Sequence, residues 1–230
     1  MARLVFRASL GALALLFIVV TVVFACDPYG ANAGAAGFLA PYPSGKGIKG
    51  QTDVQDASPG GGAAVVHPAQ VLSATTNDFI GWGVYKGEGA PGCPDNFNNH
   101  WRIYADSIIS GVYTCQANFG TVADNAANQT FQIDYEWCNI YSVFRWRLYW
   151  NGVLKGCIAM GGTTTDNISA GSEETPPSAP QQNLLVHYEN MQYRKSTGGF
   201  VNWPIVGVCE NDPPYWVDVD GVNIYWIRVR

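Results

Sequence analysis

FRWRLYWNGVLKGCIAM, residues 144–160, is the stretch from which the architecture follows. Asn151 and Gly152 both tolerate positive φ, and an Asn-Gly pair between two runs of β-forming residues is a strong local signal for a two-residue hairpin turn. In the first arm Phe144, Trp146 and Leu148 alternate with Arg145, Arg147 and Tyr149. One face is therefore buried, and the other looks at solvent or at a ligand. Outward from this hairpin the same texture continues. Runs rich in Val, Ile, Tyr, Trp and Phe, separated by Gly, Asn and Asp, predict strands at 79–85, 101–105, 111–119, 130–137, 142–150, 153–160, 184–188, 193–201, 215–219 and 222–229. Asp106 is expected to begin a turn, and Asp220-Gly221 to close a second hairpin. Number and spacing indicate an all-β antiparallel sandwich, of jelly-roll or concanavalin-like type.

The N-terminus points outside the cell. Arg3 and Arg7 precede an almost unbroken apolar run at 10–25, the pattern of a signal peptide or, uncleaved, of an N-terminal anchor. Val23-Phe24-Ala25 before Cys26 resembles the lipidation box of bacterial lipoproteins, with Phe24 bulky where that box has a small residue. Ala31-Asn32-Ala33 offers a later cleavage site. Residues 26–62, rich in Gly, Ala, Pro and Ser, are expected to form a tether or loosely packed arm. Residues 63–230 form a single β-sandwich domain, in which the polar stretch 163–182 is expected to be a long exposed loop.

Lys and Arg number 13 against 18 Asp and Glu, and the first 25 residues carry two of the cations and no acid. The remainder is acidic and lacks the basic footprint that nucleic acid requires. Membrane contact is expected only through the N-terminal segment or a lipid. Six cysteines stand at Cys26, Cys93, Cys115, Cys138, Cys157 and Cys209, too scattered for a metal knuckle. In an exported chain they read as disulfide partners, with Cys26 also the lipidation candidate. Cys115, Cys138 and Cys157 lie in or beside strands and are placed to staple neighbouring segments.

The candidate chemistry is sparse. In FQIDYEW, Asp134 and Glu136 are two apart on a strand and share a face. Strand-borne carboxylates on a sandwich resemble the arrangement in laminarinase-like glycoside hydrolases, although Gln132 stands where that pattern has a further acid. His67, His100 and His187 have no partner at metal-ligand spacing, and no metal or cofactor is expected. No serine sits in a nucleophile elbow, and no glycine run has phosphate-loop context. Aromatics are abundant, with 8 Trp, 12 Tyr and 10 Phe. Of these, Tyr149, Tyr215 and Trp216 sit at strand ends where a ring can stay exposed, and with His100 they are the candidate ligand-binding residues.

These features lean away from an enzyme. The expectation is a secreted or cell-surface binding domain for a polysaccharide or another cell-envelope component, its exposed rings packing on sugars. The alternatives are a secreted hydrolase, glycosidase or peptidase, using Asp134 and Glu136, and a structural envelope or assembly protein.

Overall fold

The computed structural model describes residues 33–38, 45–54, 63–87, 93, 97–175, 185–202, 207–210, 215–221 and 224–229. The expected leader, Cys26 and His187's distant sequence neighbours at 176–184 lie outside that set. The described residues form the strands β1 (Ala33–Phe38), β2 (Gly45–Val54), β3 (Ala63–Ser73), β4 (Phe79–Gly87), β5 (Phe97–Ile109), β6 (Val112–Gln116), β7 (Thr121–Val122) and β8 (Ala126–Cys138). They continue with β9 (Val143–Trp150), β10 (Val153–Ile158), β11 (Thr165–Thr175), β12 (Leu185–Lys195), β13 (Phe200–Asn202), β14 (Gly207–Glu210), β15 (Tyr215–Gly221) and β16 (Ile224–Val229). Among the described residues no helix is long and apolar enough to cross a membrane.

Antiparallel pairing arranges the strands in two halves. The first runs β10-β9-β8-β2-β12-β16-β15. The second runs β6-β5-β4-β3-β11-β1-β14. A bridge between Gly45 and Thr165 joins them, while β7 adds to β5 and β13 to β12.

Strand alternation decides what lies between the halves. Ile48, Ile133, Trp146 and Leu148 come from the first; Val71, Ile80, Trp82 and Trp101 come from the second, and all belong to one buried cluster. Trp82 meets Trp150 edge-on at 6.1 Å and donates its indole N–H to the Tyr149 carbonyl oxygen at 2.9 Å. The halves are thus the two layers of a sandwich. Each fully buried large apolar side chain contributes about 1.5–3 kcal/mol. Cys138 and Cys157 form a disulfide that spans β9, tying β8 to β10, and Cys93 is bonded to Cys115 of β6. Closing loops of this length stabilises the fold by about 3 kcal/mol each in the chain-entropy account.

The hairpin turn is where the sequence places it: Asn151 and Gly152 have φ of 49° and 72°, and Trp150 pairs with Val153. Other expectations change. The presumed arm supplies β1 and β2, and β2 is central to the first sheet. The presumed loop at 163–182 supplies β11, which pairs with both β3 and β1. Asp106 lies inside β5, paired with Gly81 and Cys115, because the turn falls at Ser110-Gly111 instead, where both φ values are positive. Asp220 and Gly221 belong to β15, so the connection to β16 comes after them. The strand expected at 184–188 is the start of β12, which has a bulge at Asn190, φ 54°, and the strand expected at 193–201 is instead a hairpin, in which residues 193–195 end β12 and β13 pairs back onto it across a turn at 196–199.

Candidate active site

The outer face of the first sheet is polar, because the period of two that sends Ile48, Ile133, Trp146 and Tyr188 inward sends their neighbours outward. Register lays these outward residues in rows across four strands. One row is Thr130, Gln51 and Glu189, on β8, β2 and β12; the next is Tyr149, Gln132, Lys49 and Gln192, on β9, β8, β2 and β12. A third is Arg147, Asp134, Gly47 and Arg194. Partners opposite one another share a face, with Cβ atoms about 4.5–5.5 Å apart.

Asp134 and Glu136 share this face, and both are held by arginine. Arg147 donates from Nε and Nη2 to Asp134 Oδ1 and Oδ2 at 2.7 and 2.8 Å. Arg194 donates from Nη2 to Glu136 Oε1, and its Nη1 lies 3.9 Å from Asp134 Oδ2. Arg194 starts two strands from Asp134, and the residue between them is Gly47. A Cβ there would collide with the Ile133 carbonyl oxygen and lie 2.9 Å from Asp134 Cα. The glycine allows β2 to approach β8 closely and leaves the side-chain path open above it. Hydrogen bonding from Arg194, and then its charge, hold the Glu136 carboxyl below its ordinary range against the opposing effect of desolvation. The Asp134 hydrogen bonds push Arg147 higher still. The Asp134 side chain is 3% exposed and that of Glu136 35%, so Glu136 is the more accessible of the two.

Beside this charge cluster is a groove of about 480 Å³, whose walls include Lys49, Gln51, Thr130, Gln132, Tyr149 and Gln192. Gly50 forms part of its floor, where Met191 and Phe131 leave no room for a side chain. The bulge at Asn190 turns that residue outward, and its Nδ2 donates to Gln51 Oε1. With its carbonyl oxygen engaged, Gln51 presents its NH2 as a donor. Burial raises the Tyr149 phenol above its ordinary range, so it stays a neutral hydroxyl. Glu189, directly opposite Gln51, is half-buried and has no salt-bridge partner among the described residues.

Of the ligand-binding residues anticipated from sequence, Tyr149 lines the groove. His100 lies on β5, in the other sheet. Tyr215 and Trp216 fall in β15, at the edge of the first sheet, and their side chains are outside the described part of the structure, as is that of Cys209 in β14. Among the described residues no group of three or more His, Cys, Asp or Glu is arranged to hold a metal ion. Sequence reasoning missed Lys49, Gln51 and Glu189. The alternation of β12 was the one signal available for Glu189, and the glycines of β2 concealed the other two.

No protein-family model matches the chain, and no curated protein matches it in sequence. Solved structures do match its fold. A scytalido-glutamic peptidase with a peptide-based transition-state analogue superposes with a TM-score of 0.58 at 11% identity, over 87% of this chain and 98% of that one. The peptidase with a transition-state analogue inhibitor gives 0.55 at 12% identity, over the same shares of the two chains. SCP-B, a member of the eqolisin family of peptidases in complex with the tripeptide Ala-Ile-His, gives 0.53 at 11% identity, again over 87% and 98%. The fold is accordingly an all-β, disulfide-stabilised sandwich resembling that of the glutamic peptidases, rather than specifically a jelly roll or a concanavalin-like sandwich. The expectation that leaned away from an enzyme is corrected by the same finding, since the three matched structures are peptidases and two of them hold transition-state analogues. Absence of a compact motif carried no weight against catalysis, because a sheet face gathers its side chains from strands far apart in sequence.

Proposed function

We propose that this chain is an exported hydrolase of the peptidase class, working on the outer face of its first sheet. The observation that carries the reading is the cross-strand pairing of Glu189 with Gln51, which itself lines the groove, on a fold shared with glutamic peptidases. Glu189, unlike Asp134 and Glu136, is engaged by no guanidinium among the described residues. As a carboxylate it takes a proton from water while the water oxygen attacks the scissile carbonyl carbon. The carbonyl oxygen becomes an oxyanion, and the Gln51 NH2, steadied by Asn190, donates to it. Glu189 then returns the proton to the amine as the C–N bond breaks, so one water is consumed and an acid and an amine are released. Tyr149, anticipated as a sugar-stacking ring, instead forms a wall against an extended peptide.

In this proposal Glu189→Gln lowers peptide hydrolysis by about 100-fold or more, and Gln51→Ala by about 10²–10³ in kcat. Both variants retain the parent melting temperature. Undiminished turnover in Glu189→Gln would overturn the assignment. A second reading keeps the carboxylates anticipated from sequence and makes Glu136 the base, favoured by its exposure and its Arg194-stabilised charge. In that case Glu136→Gln, rather than Glu189→Gln, abolishes turnover.

A further inference from the structure

Lys49 stands two residues along β2 from Gln51, and so on the same face, and among the described residues lining the groove it alone carries a full charge. Among the described residues, the arginines of the face are committed. Arg147 is bound to Asp134, Arg194 to Glu136, and Arg145 lies over the Tyr141 ring, its guanidinium carbon 4.4 Å from the centroid. Lys49 has no acidic partner within 4.0 Å among the described residues; its Nζ sits 4.5 Å from the centroid of the Phe200 ring.

That contact holds the ammonium over a ring face and occupies no carboxylate among the described residues. On either side, Gln132 and Gln192 have their amide NH2 groups tied down, to Asp134 Oδ2 at 2.7 Å and to Asn202 Oδ1 at 2.9 Å. Their carbonyl oxygens are left to accept backbone N–H groups of an extended chain. Beyond Gln132, the neutral Tyr149 hydroxyl is a second donor.

We infer that the groove is a carboxylate-reading subsite, in which Lys49, with Tyr149 across Gln132 from it, selects peptides carrying an acidic group next to the bond to be cleaved. This inference rests on the hydrolase reading above for the word cleavage, but not for binding. A carboxylate there can be an Asp or Glu side chain or a peptide C-terminus. The partner is ionised above about pH 4, and the charge-assisted hydrogen bond it makes is stronger than one to a neutral amide.

The test uses the full oxidised chain and matched synthetic peptides. One arm compares Glu with Gln at each position around a fixed scissile bond, with the C-terminus amidated; the other compares a free with an amidated C-terminus in a peptide lacking acids. Wild type favours the carboxylate-bearing member of one pair by about tenfold in kcat/KM, Lys49→Met reduces that preference to less than about twofold, and Lys49→Glu reverses it. The arm that shows the effect identifies the source of the carboxylate. Preference unchanged in Lys49→Met overturns the inference. Should no peptide be cleaved, the hydrolase reading fails separately, and calorimetry with the same pairs decides the subsite. Binding of the acidic member about tenfold tighter to wild type than to Lys49→Met supports it, and equal binding overturns it.

Discussion

Asp106 sits inside β5 with almost no exposure, and burial raises its carboxyl from 3.8 to about 7. Gly81, its partner on β4, makes the space, since a Cβ there would collide with Asp106 Oδ1. The folded state therefore keeps a proton that the unfolded chain releases near pH 4, and stability falls as pH rises between those two values. The loss is about 4 kcal/mol by pH 7. Asp106→Asn should remove that part of the slope, melting higher than wild type at pH 7 and with little difference at pH 4. Equal slopes in the two proteins would contradict the account. Gly47 is the other residue on which much depends. Gly47→Ala places a methyl against the β8 backbone and should cost about 2–3 kcal/mol, a fall in melting temperature of roughly 5–10 °C by calorimetry. A change below one degree would show that β2 and β8 are not held so close.

At the scale of elements, legibility followed side-chain chemistry. β9 was readable because Trp146 and Leu148 alternate with Arg145 and Arg147, and its turn because Asn151 and Gly152 accept positive φ. β2 was unreadable for a physical reason. Gly45, Gly47 and Gly50 are there because neighbouring backbone and side chains press against those positions, yet in sequence they are indistinguishable from a linker. β11, TDNISAGSEET, is polar although it pairs on both edges, and its place is set by backbone hydrogen bonding that composition does not reveal. β16 pairs with β12 on one side and β15 on the other, so it is not an edge that can be trimmed. Deleting residues 224–230 should abolish cooperative folding. A soluble truncation with a sharp thermal transition would sink that expectation.

The whole molecule gathers what the chain keeps apart. Gln51 and Asn190, 139 residues distant in sequence, are hydrogen-bonded at the groove. Only the shared face of Asp134 and Glu136 and the groove ring Tyr149 were accessible from local pattern. The arginines that hold the two acids, one on β9 and one on β12, come with the register of the sheet. Two disulfides staple the described part of the sandwich, in keeping with an oxidising compartment. On the proposed reading, this sandwich hydrolyses peptide bonds with Glu189 as base. The most direct test of that reading is incubation of a denatured protein with the purified, oxidised chain and with Glu189→Gln in parallel, read by mass spectrometry for new peptide termini. Cleavage by wild type, lost in a variant of equal melting temperature, is the predicted result; equal cleavage by the two, or none by wild type across acidic and neutral pH, would contradict it.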